Sequence, residues 1–176
     1  MTGGINLHTE PREIERKFLI ARPDASFLHT LPGCQATEIT QTYLIQKDTG
    51  FGRRIRKRGA PGNWNYTYTQ KKKISFGERI ELEHEISEIE YTALLKEADP
   101  HCHQIHKTRF CIPYQNQLLE IDLYAFSQEF ATLEIELPSI TTPVMLPDWL
   151  NIIEDVTDQK GYSNFALSIR LSFPVR

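Results

Sequence analysis

Glu13, Glu15 and Lys17 occupy every second position in the run Glu-Ile-Glu-Arg-Lys. In a β-strand this spacing places the three charged side chains on one face, while Ile14 and Phe18 point to the other. Two carboxylates beside an ammonium make a poor solvent-facing strand. They are typical of a wall that holds a metal ion together with an anion.

Six later segments repeat this alternation, and each carries charges of one sign. The acidic sets are Glu81/Glu83/Glu85, Glu120/Asp122 and Glu134/Glu136, and the basic sets are Arg54/Arg56/Arg58, Lys71/Lys73 and Lys107/Arg109. Like charges at neighbouring positions repel, so this sorting indicates compensating ligands, a divalent cation and a polyanion. Alternation alone leaves another interpretation open, a sheet with one solvated charged face.

The two charge sets indicate different parts of one chemistry. Carboxylates favour a hard cation such as Mg²⁺, Mn²⁺ or Ca²⁺ over zinc. Arginine and lysine donors suit phosphate oxygens. Together they predict phosphoryl transfer, in which positioning and charge neutralisation supply most of the catalysis.

These residues must be positioned by a mainly antiparallel α+β domain. Strands are predicted near 13–21, 38–46, 51–58, 64–73, 78–87, 104–113, 118–126 and 130–137, with helices at 24–31, 88–98 and 163–170 and a short helical segment at 147–150. A turn is expected at 48–50. Closing the eight strands into a barrel would gather both charge sets around one channel. The helices at 88–98 and 163–170 would then cover the outward apolar faces.

Bulk composition limits the classes of function. A chain of 176 residues with a net charge of −3 predicts one domain and gives no bulk electrostatic case for nucleic acid or an anionic membrane. Three cysteines without paired spacing indicate a reducing compartment. No apolar run approaches the roughly 18 residues of a spanning helix. We therefore expect a cytoplasmic protein with no membrane partner.

An ordered set of motifs resembles the triphosphate tunnel metalloenzymes, also called the CYTH superfamily. They are Glu13–Lys17, Gln41–Leu44, Arg54–Arg56, Thr69–Lys71 with Lys73, Arg79–Glu83, Lys107–Arg109, Glu120–Asp122, Leu133–Leu137 and Asp155–Thr157. The tails Leu146–Trp149 and Tyr162–Asn164 resemble those of small bacterial members. The resemblance predicts a tunnel domain over 13–172, preceded by an extension at 1–12.

The resemblance implies a closed eight-stranded tunnel with a charged interior that binds a triphosphate with Mg²⁺ or Mn²⁺. Implied metal ligands are Glu13, Glu15, Glu134 and Glu136, while Glu81, Glu83, Glu120 and Asp122 hold a second metal or anchor the basic residues. Implied phosphate contacts are Arg54, Arg56, Lys71, Lys73, Lys107, Arg109 and Lys160. Lys17 and Tyr43 are the implied catalytic pair that activates water, and a role for Lys17 as a further phosphate ligand stays open.

The implied activity is hydrolysis of inorganic triphosphate to pyrophosphate and phosphate. Two alternatives stay open: another enzyme of the same fold, such as a class IV adenylyl cyclase or a nucleoside or thiamine triphosphatase, and a non-catalytic polyphosphate-binding module. A homodimer is also left open. The chain departs from the family pattern at Gly161 and Phe165, where polar or basic residues are common.

Overall fold

A computed structural model describes residues 12–47 and 50–175, which form nine β-strands and three α-helices. The strands are β1 (Arg12–Ala21), β2 (Gln35–Leu44), β3 (Gly52–Ala60), β4 (Asn63–Ser75), β5 (Glu78–Ile86), β6 (Ile105–Tyr114), β7 (Gln117–Tyr124), β8 (Phe130–Glu136) and β9 (Ile152–Asp155). The helices are α1 (Ala25–Thr30), α2 (Glu88–Leu94) and α3 (Asn164–Arg170), with 3₁₀ turns at Leu95–Glu97 and Lys160–Tyr162. The predicted N-terminal extension up to residue 11 and positions 48–49 of the predicted turn lie outside the described residues.

Eight of the strands close into an antiparallel barrel, as predicted. Their order is β5-β4-β3-β2-β6-β7-β8-β1, and β1 closes the ring by pairing with β5. That closure is short, because only residues 12–14 of β1 are in register with β5. Farther along β1, β9 takes the place of β5 and pairs with Phe18 to Ile20. β9 was not predicted, and the predicted helical segment at 147–150 was wrong, since these residues form only a turn.

The main apolar core lies outside the barrel wall, on the faces that alternate with the charged positions. Phe18 and Ile20 of β1 pack there with Phe110 of β6 and Leu133 of β8. Helix α1 covers this cluster through Leu28, which is fully buried. Asp24 caps α1 by accepting a hydrogen bond from the backbone of the first turn, as its position in the sequence predicts.

Helix α2 covers a second part of the outer wall, as expected. A capping box between Ser87 and Glu90 starts the helix. Its buried residue Tyr91 packs with Leu44 of β2 and Ile55 of β3. The predicted helix extends to 98, whereas α2 ends at Leu94 and continues as a 3₁₀ turn.

Helix α3 does not cover the outer wall, which corrects the expectation for residues 163–170. Its buried residue Leu167 packs against Ile105 and Tyr124. These two residues share the inward face with Lys107 and Asp122, because side chains two apart in a strand point the same way. Tyr124 also donates a hydrogen bond from its hydroxyl to Asn164 Oδ1 at 2.7 Å. Helix α3 therefore closes one end of the barrel. Of the helices in the described ranges, none has the length and apolar character needed to cross a membrane.

Candidate active site

The barrel encloses a cavity of about 620 Å³ whose wall carries charges of both signs. Its charged lining is Glu13, Glu15, Lys17, Arg53, Arg54, Arg56, Lys71, Lys73, Glu78, Arg79, Glu81, Asp99, Arg109, Glu120, Glu134, Asp158 and Lys160. Most of these residues come from alternate positions of β1, β3, β4 and β5. The structure thus brings most of the predicted site residues to one cavity.

Lys17 and Glu134 form a buried ion pair across the β1–β8 register. Lys17 Nζ donates a hydrogen bond to Glu134 Oε1 at 2.9 Å. Burial raises the pKa of Glu134, but Lys17 and Arg109 together hold that pKa well below its ordinary value. Glu134 is therefore an anion that fixes the position of the Lys17 ammonium.

Arg109 connects three carboxylates on neighbouring strands. Its Nε and Nη2 donate to the two carboxylate oxygens of Asp122, each at 2.7 Å. Nη2 also donates to Glu134 Oε2 at 2.5 Å, and Nη1 donates to Glu120. Burial acts to lower the pKa of Arg109, whereas these carboxylates raise it well above its ordinary value. The bidentate contact fixes the plane of the guanidinium at the cavity wall.

Lys107 and Asp122 lie behind Arg109 and do not line the cavity. Lys107 Nζ donates to Asp122 Oδ2 at 2.5 Å, and both side chains are 0% exposed. Burial and repulsion by Arg109 lower the pKa of Lys107 to about 8, although Asp122 opposes the shift. In this arrangement the pair supports Arg109, and the predicted phosphate contact of Lys107 and metal contact of Asp122 stay predictions.

Glu13 and Glu81 form an acidic corner of the cavity with Lys71. Lys71 Nζ lies 3.0 Å from Glu13 Oε2 and also forms an ion pair with Glu81 Oε2. Burial and the neighbouring Glu81 raise the pKa of Glu13 to about 7. Glu81 is also buried, but Arg54 and Lys71 lower its pKa to about 2. The Oε2 atoms of both glutamates are buried and share the Lys71 ammonium as an ion-pair partner.

Arg54 and Arg56 on β3 form a cationic wall that has few anionic partners. Arg54 Nη2 donates to Glu81 Oε1 at 2.8 Å, but its Nε is buried without a hydrogen-bond partner in the described structure. Arg56 Nε donates to the neutral Gln41 Oε1 at 2.9 Å, and its nitrogen Nη1 lies 3.6 Å from Glu83. Burial and repulsion by Arg54 lower the pKa of Arg56 to about 10. This wall is suited to an incoming anion.

Tyr43 lines the cavity from β2, on the wall opposite β1 in the barrel order. Its hydroxyl accepts a hydrogen bond from Gln41 Nε2 at 2.8 Å. Burial raises the pKa of Tyr43, although Arg54 and Arg56 act to lower it. The hydrogen bonds of Tyr43 and of Lys17 thus go to different partners, Gln41 and Glu134, rather than to each other.

Several charged residues of the cavity were missed in the sequence, among them Arg79 and Asp158. Arg79 donates from Nη2 to Glu15 Oε1 at 2.5 Å, and its alternation with Glu81 on β5 is a signal that would have found it. Asp158 accepts a hydrogen bond from Lys73 Nζ at 2.8 Å, and no spacing in the sequence marks it.

Besides Asp122, two predicted metal ligands lie outside the cavity lining. Glu83 accepts a hydrogen bond from Thr69 Oγ1 at 2.7 Å. Glu136 is exposed, although it pairs with Glu15 across the strands. The alternation along the strands places Glu83 and Glu136 on the same face as the charged residues of the cavity, but it does not show that they stop short of the cavity lining.

The donor set fits a divalent cation only if the present ion pairs rearrange. Within the described parts of the chain, no group of three or more histidine, cysteine, aspartate or glutamate side chains is gathered to hold a metal ion. The buried Oε2 atoms of Glu13 and Glu81 nevertheless lie close enough together to share one cation, Lys71 Nζ, and Glu15 lines the same cavity. Carboxylate oxygens are the ligands that Mg²⁺ and Mn²⁺ prefer.

A closed eight-stranded antiparallel barrel with carboxylates and cations in its interior is the architecture that the resemblance to the triphosphate tunnel metalloenzymes implies. No protein-family model matches the chain. An inorganic triphosphatase from Nitrosomonas europaea is 29% identical to it over 164 residues, covering 90% of this chain and 98% of that protein. The resemblance found in the sequence is thereby confirmed.

Solved structures agree with this comparison. A crystal structure of an inorganic triphosphatase has a TM-score of 0.57 and 28% identity, covering 93% of this chain and 97% of that chain. A protein from Pyrococcus horikoshii has a TM-score of 0.53 and 22% identity, covering 73% of this chain and 80% of that chain. The second likeness concerns the fold alone.

Proposed function

We propose that this protein hydrolyses inorganic triphosphate to pyrophosphate and phosphate inside the barrel. The observation that carries the proposal is that one cavity gathers the carboxylates of Glu13, Glu15 and Glu81 beside the guanidinium groups of Arg54 and Arg56, and that Arg54 Nε is buried without a hydrogen-bond partner among the described residues. A complex of a divalent cation with a polyphosphate would satisfy both sets. The similarity to an inorganic triphosphatase supports the same assignment.

The phosphate chain binds along the cationic wall in this proposal. Arg54 and Arg56 present guanidinium groups, whose fork geometry matches phosphate oxygens. Lys71, Lys73 and Lys160 also line the cavity and add point charges. Arg109 is held in place by its carboxylates and stabilises the charge that develops on the phosphoryl oxygens.

Glu13, Glu15 and Glu81 are the residues that would hold a divalent cation, Mg²⁺ or Mn²⁺. When bound, such a cation neutralises phosphate charge and lowers the pKa of a coordinated water. Lys71 and Arg79 now neutralise these glutamates. Both side chains line the cavity, so they can transfer their hydrogen bonds from carboxylate to phosphate.

Lys17 acts as a cation and Tyr43 positions the attacking water in this proposal. Glu134 holds Lys17 as a hydrogen-bond donor, which suits contact with a phosphate oxygen. Burial raises the pKa of Tyr43, so its hydroxyl stays neutral and can both accept and donate a hydrogen bond. Water attacks the terminal phosphorus, one phosphoanhydride P–O bond breaks, and pyrophosphate leaves as the new P–O bond forms. One proton of the water stays on the new phosphate, and the other passes to the leaving pyrophosphate.

A substrate-by-metal panel tests the proposal. The full chain is assayed for phosphate release from tripolyphosphate and from ATP, with Mg²⁺ and with Mn²⁺. We expect tripolyphosphate to be hydrolysed faster than ATP. Cyclic AMP formation with little phosphate release would assign a cyclase instead. Tight binding of tripolyphosphate without hydrolysis under either metal would identify a binding module.

A further inference from the structure

Asn164 lines the cavity from the start of helix α3, as an uncharged polar residue among charged ones. Ser163 fixes the start of the helix, because its hydroxyl accepts a hydrogen bond from Ala166 N at 3.1 Å. Phe165 follows, and its ring meets Tyr43 edge to face with centroids 5.3 Å apart. Contacts on both sides of Asn164 therefore hold it at the end of the cavity to which Tyr43 belongs.

Two buried hydroxyls orient the side-chain amide of Asn164. Tyr124 donates its hydroxyl proton to Asn164 Oδ1 at 2.7 Å. A phenol has one proton to donate, so the Thr132 hydroxyl, 3.2 Å away, donates to Tyr124 in turn. Burial and the nearby Asp122 raise the pKa of Tyr124 well above its ordinary value, so the phenol keeps its proton. The oxygen end of the amide is thus fixed toward the barrel wall.

The nitrogen end of the same amide is left for the cavity. Asn164 lines the cavity, whereas Tyr124, which holds the oxygen end, does not. Among the described residues, Asn164 Nδ2 has no hydrogen-bond partner, although an amide nitrogen carries two N–H donors. The amide therefore offers two oriented donors to whatever occupies the cavity.

These donors differ from the cations of the cavity in what binding requires of them. Lys71 is paired with Glu13, and Lys73 is paired with Asp158. Each lysine must exchange a carboxylate for a ligand oxygen when an anion binds. Asn164 Nδ2 has no such partner in the described structure to release, so a hydrogen bond to it requires no exchange of ion pairs.

We propose that Asn164 donates a hydrogen bond to a phosphate oxygen of the bound triphosphate and that Tyr124 is the residue that positions its amide. The inference rests on the proposed function, because the ligand is the same phosphate chain. Ionised phosphate oxygens only accept hydrogen bonds, so they suit an amide nitrogen and not a carboxylate oxygen. If Asn164 only fastened α3 to Tyr124, the oxygen end of the amide would be enough.

Replacing Asn164 with aspartate separates binding from fastening. The aspartate side chain keeps an acceptor for Tyr124 but loses both N–H donors, whereas Asn164→Ala loses both ends of the amide. Calorimetric titration of the full chain with tripolyphosphate in EDTA measures affinity without metal-dependent turnover. We expect Asn164→Ala to weaken binding by about tenfold, the scale of one hydrogen bond to a charged group, and Asn164→Asp to weaken it further. Fastening alone would give a loss for Asn164→Ala and none for Asn164→Asp.

Ser163→Asp is the matched control for the added charge. Ser163 also lines the cavity, and aspartate is a preferred residue at a helix N-cap, so this change adds the same charge and keeps the amide of Asn164. Asn164→Asp should weaken tripolyphosphate binding about tenfold more than Ser163→Asp, because only Asn164→Asp removes the donors.

A double-mutant cycle tests the positioning role of Tyr124. Tyr124→Phe should weaken tripolyphosphate binding by about fivefold, the scale of one neutral hydrogen bond, since the amide then loses its fixed orientation. Added to Asn164→Ala, the same change should have an effect of less than about twofold, because no amide is left to orient.

Four results would overturn the proposal. They are wild-type affinity of Asn164→Asp for tripolyphosphate, a loss for Asn164→Asp no larger than that for Ser163→Asp, additive losses for Tyr124→Phe and Asn164→Ala, and no binding by the wild-type protein in EDTA. If Asn164→Ala does not fold, the comparison of Asn164→Asp with Ser163→Asp still decides. Absence of turnover in the metal panel would overturn the proposed function but leave these affinities measurable.

Discussion

Replacing Arg109 with alanine is expected to destabilise the fold by about 3 kcal/mol, the lower end of the cost of breaking a buried ion pair. Arg109 is only 14% exposed on its side chain, and it donates hydrogen bonds to Glu120, Asp122 and Glu134. The lower end applies because Lys107 still pairs with Asp122 and Lys17 with Glu134 after the change.

Matched variants separate the buried network from the general effect of losing an arginine. Arg16 pairs with Asp155 at the surface, where the two side chains are 28% and 36% exposed. Arg16→Ala should therefore cost at most about 1 kcal/mol. Arg109→Lys keeps the charge but loses the two-pronged contact with Asp122, so it should fall between the two alanine variants.

Urea unfolding measures these differences, provided that the slope with denaturant is the same for all variants. A loss for Arg109→Ala no larger than that for Arg16→Ala would refute the view that Arg109 neutralises the buried carboxylates. If Arg109→Ala does not fold, the comparison of Arg109→Lys with Arg16→Ala provides the same test.

Three further outcomes are expected. Glu15→Gln should abolish triphosphate turnover and weaken Mn²⁺ binding measured by calorimetry, and wild-type turnover would remove Glu15 from the metal site. Arg56→Ala should raise KM for tripolyphosphate by about tenfold to a hundredfold, the range of a charge-assisted hydrogen bond, with a smaller change in kcat. Stability should fall with acid, because neighbouring cations hold the pKa of Glu134 below its ordinary 4.5 and that of Asp122 below its ordinary 3.8. Their contribution is complete above these ordinary values and is lost as pH falls through the lower native pKa values. Urea unfolding from pH 6 to pH 3 should show a smaller loss for Asp122→Asn than for the wild-type protein.

The sequence by itself determined the barrel and the sign of the charges inside it. Alternation in runs such as Glu13–Lys17 and Arg54–Arg58 fixes which side chains share a face, since a strand repeats every two residues. Local signals also marked the helix starts at Asp24 and Ser87, where a side chain accepts a hydrogen bond from the first turn. These features depend on neighbours in the chain, so they can be predicted from it.

Only the tertiary structure decided which charged residues reach the cavity. The alternation of side chains along a strand shows which face each residue occupies but not how far along the barrel it lies. Lys107 and Glu136 were therefore predicted to join the other charged residues of the site. Packing instead buries Lys107 against Asp122 and leaves Glu136 exposed.

Helix α3 and strand β9 also could not be predicted from the local sequence. Helix α3 packs at the barrel end because Leu167 meets Ile105 and Tyr124, which come from other parts of the chain. Strand β9 forms because β5 leaves β1 after residue 14 and opens an edge. Such contacts join segments far apart in sequence, so the local residue pattern cannot predict them.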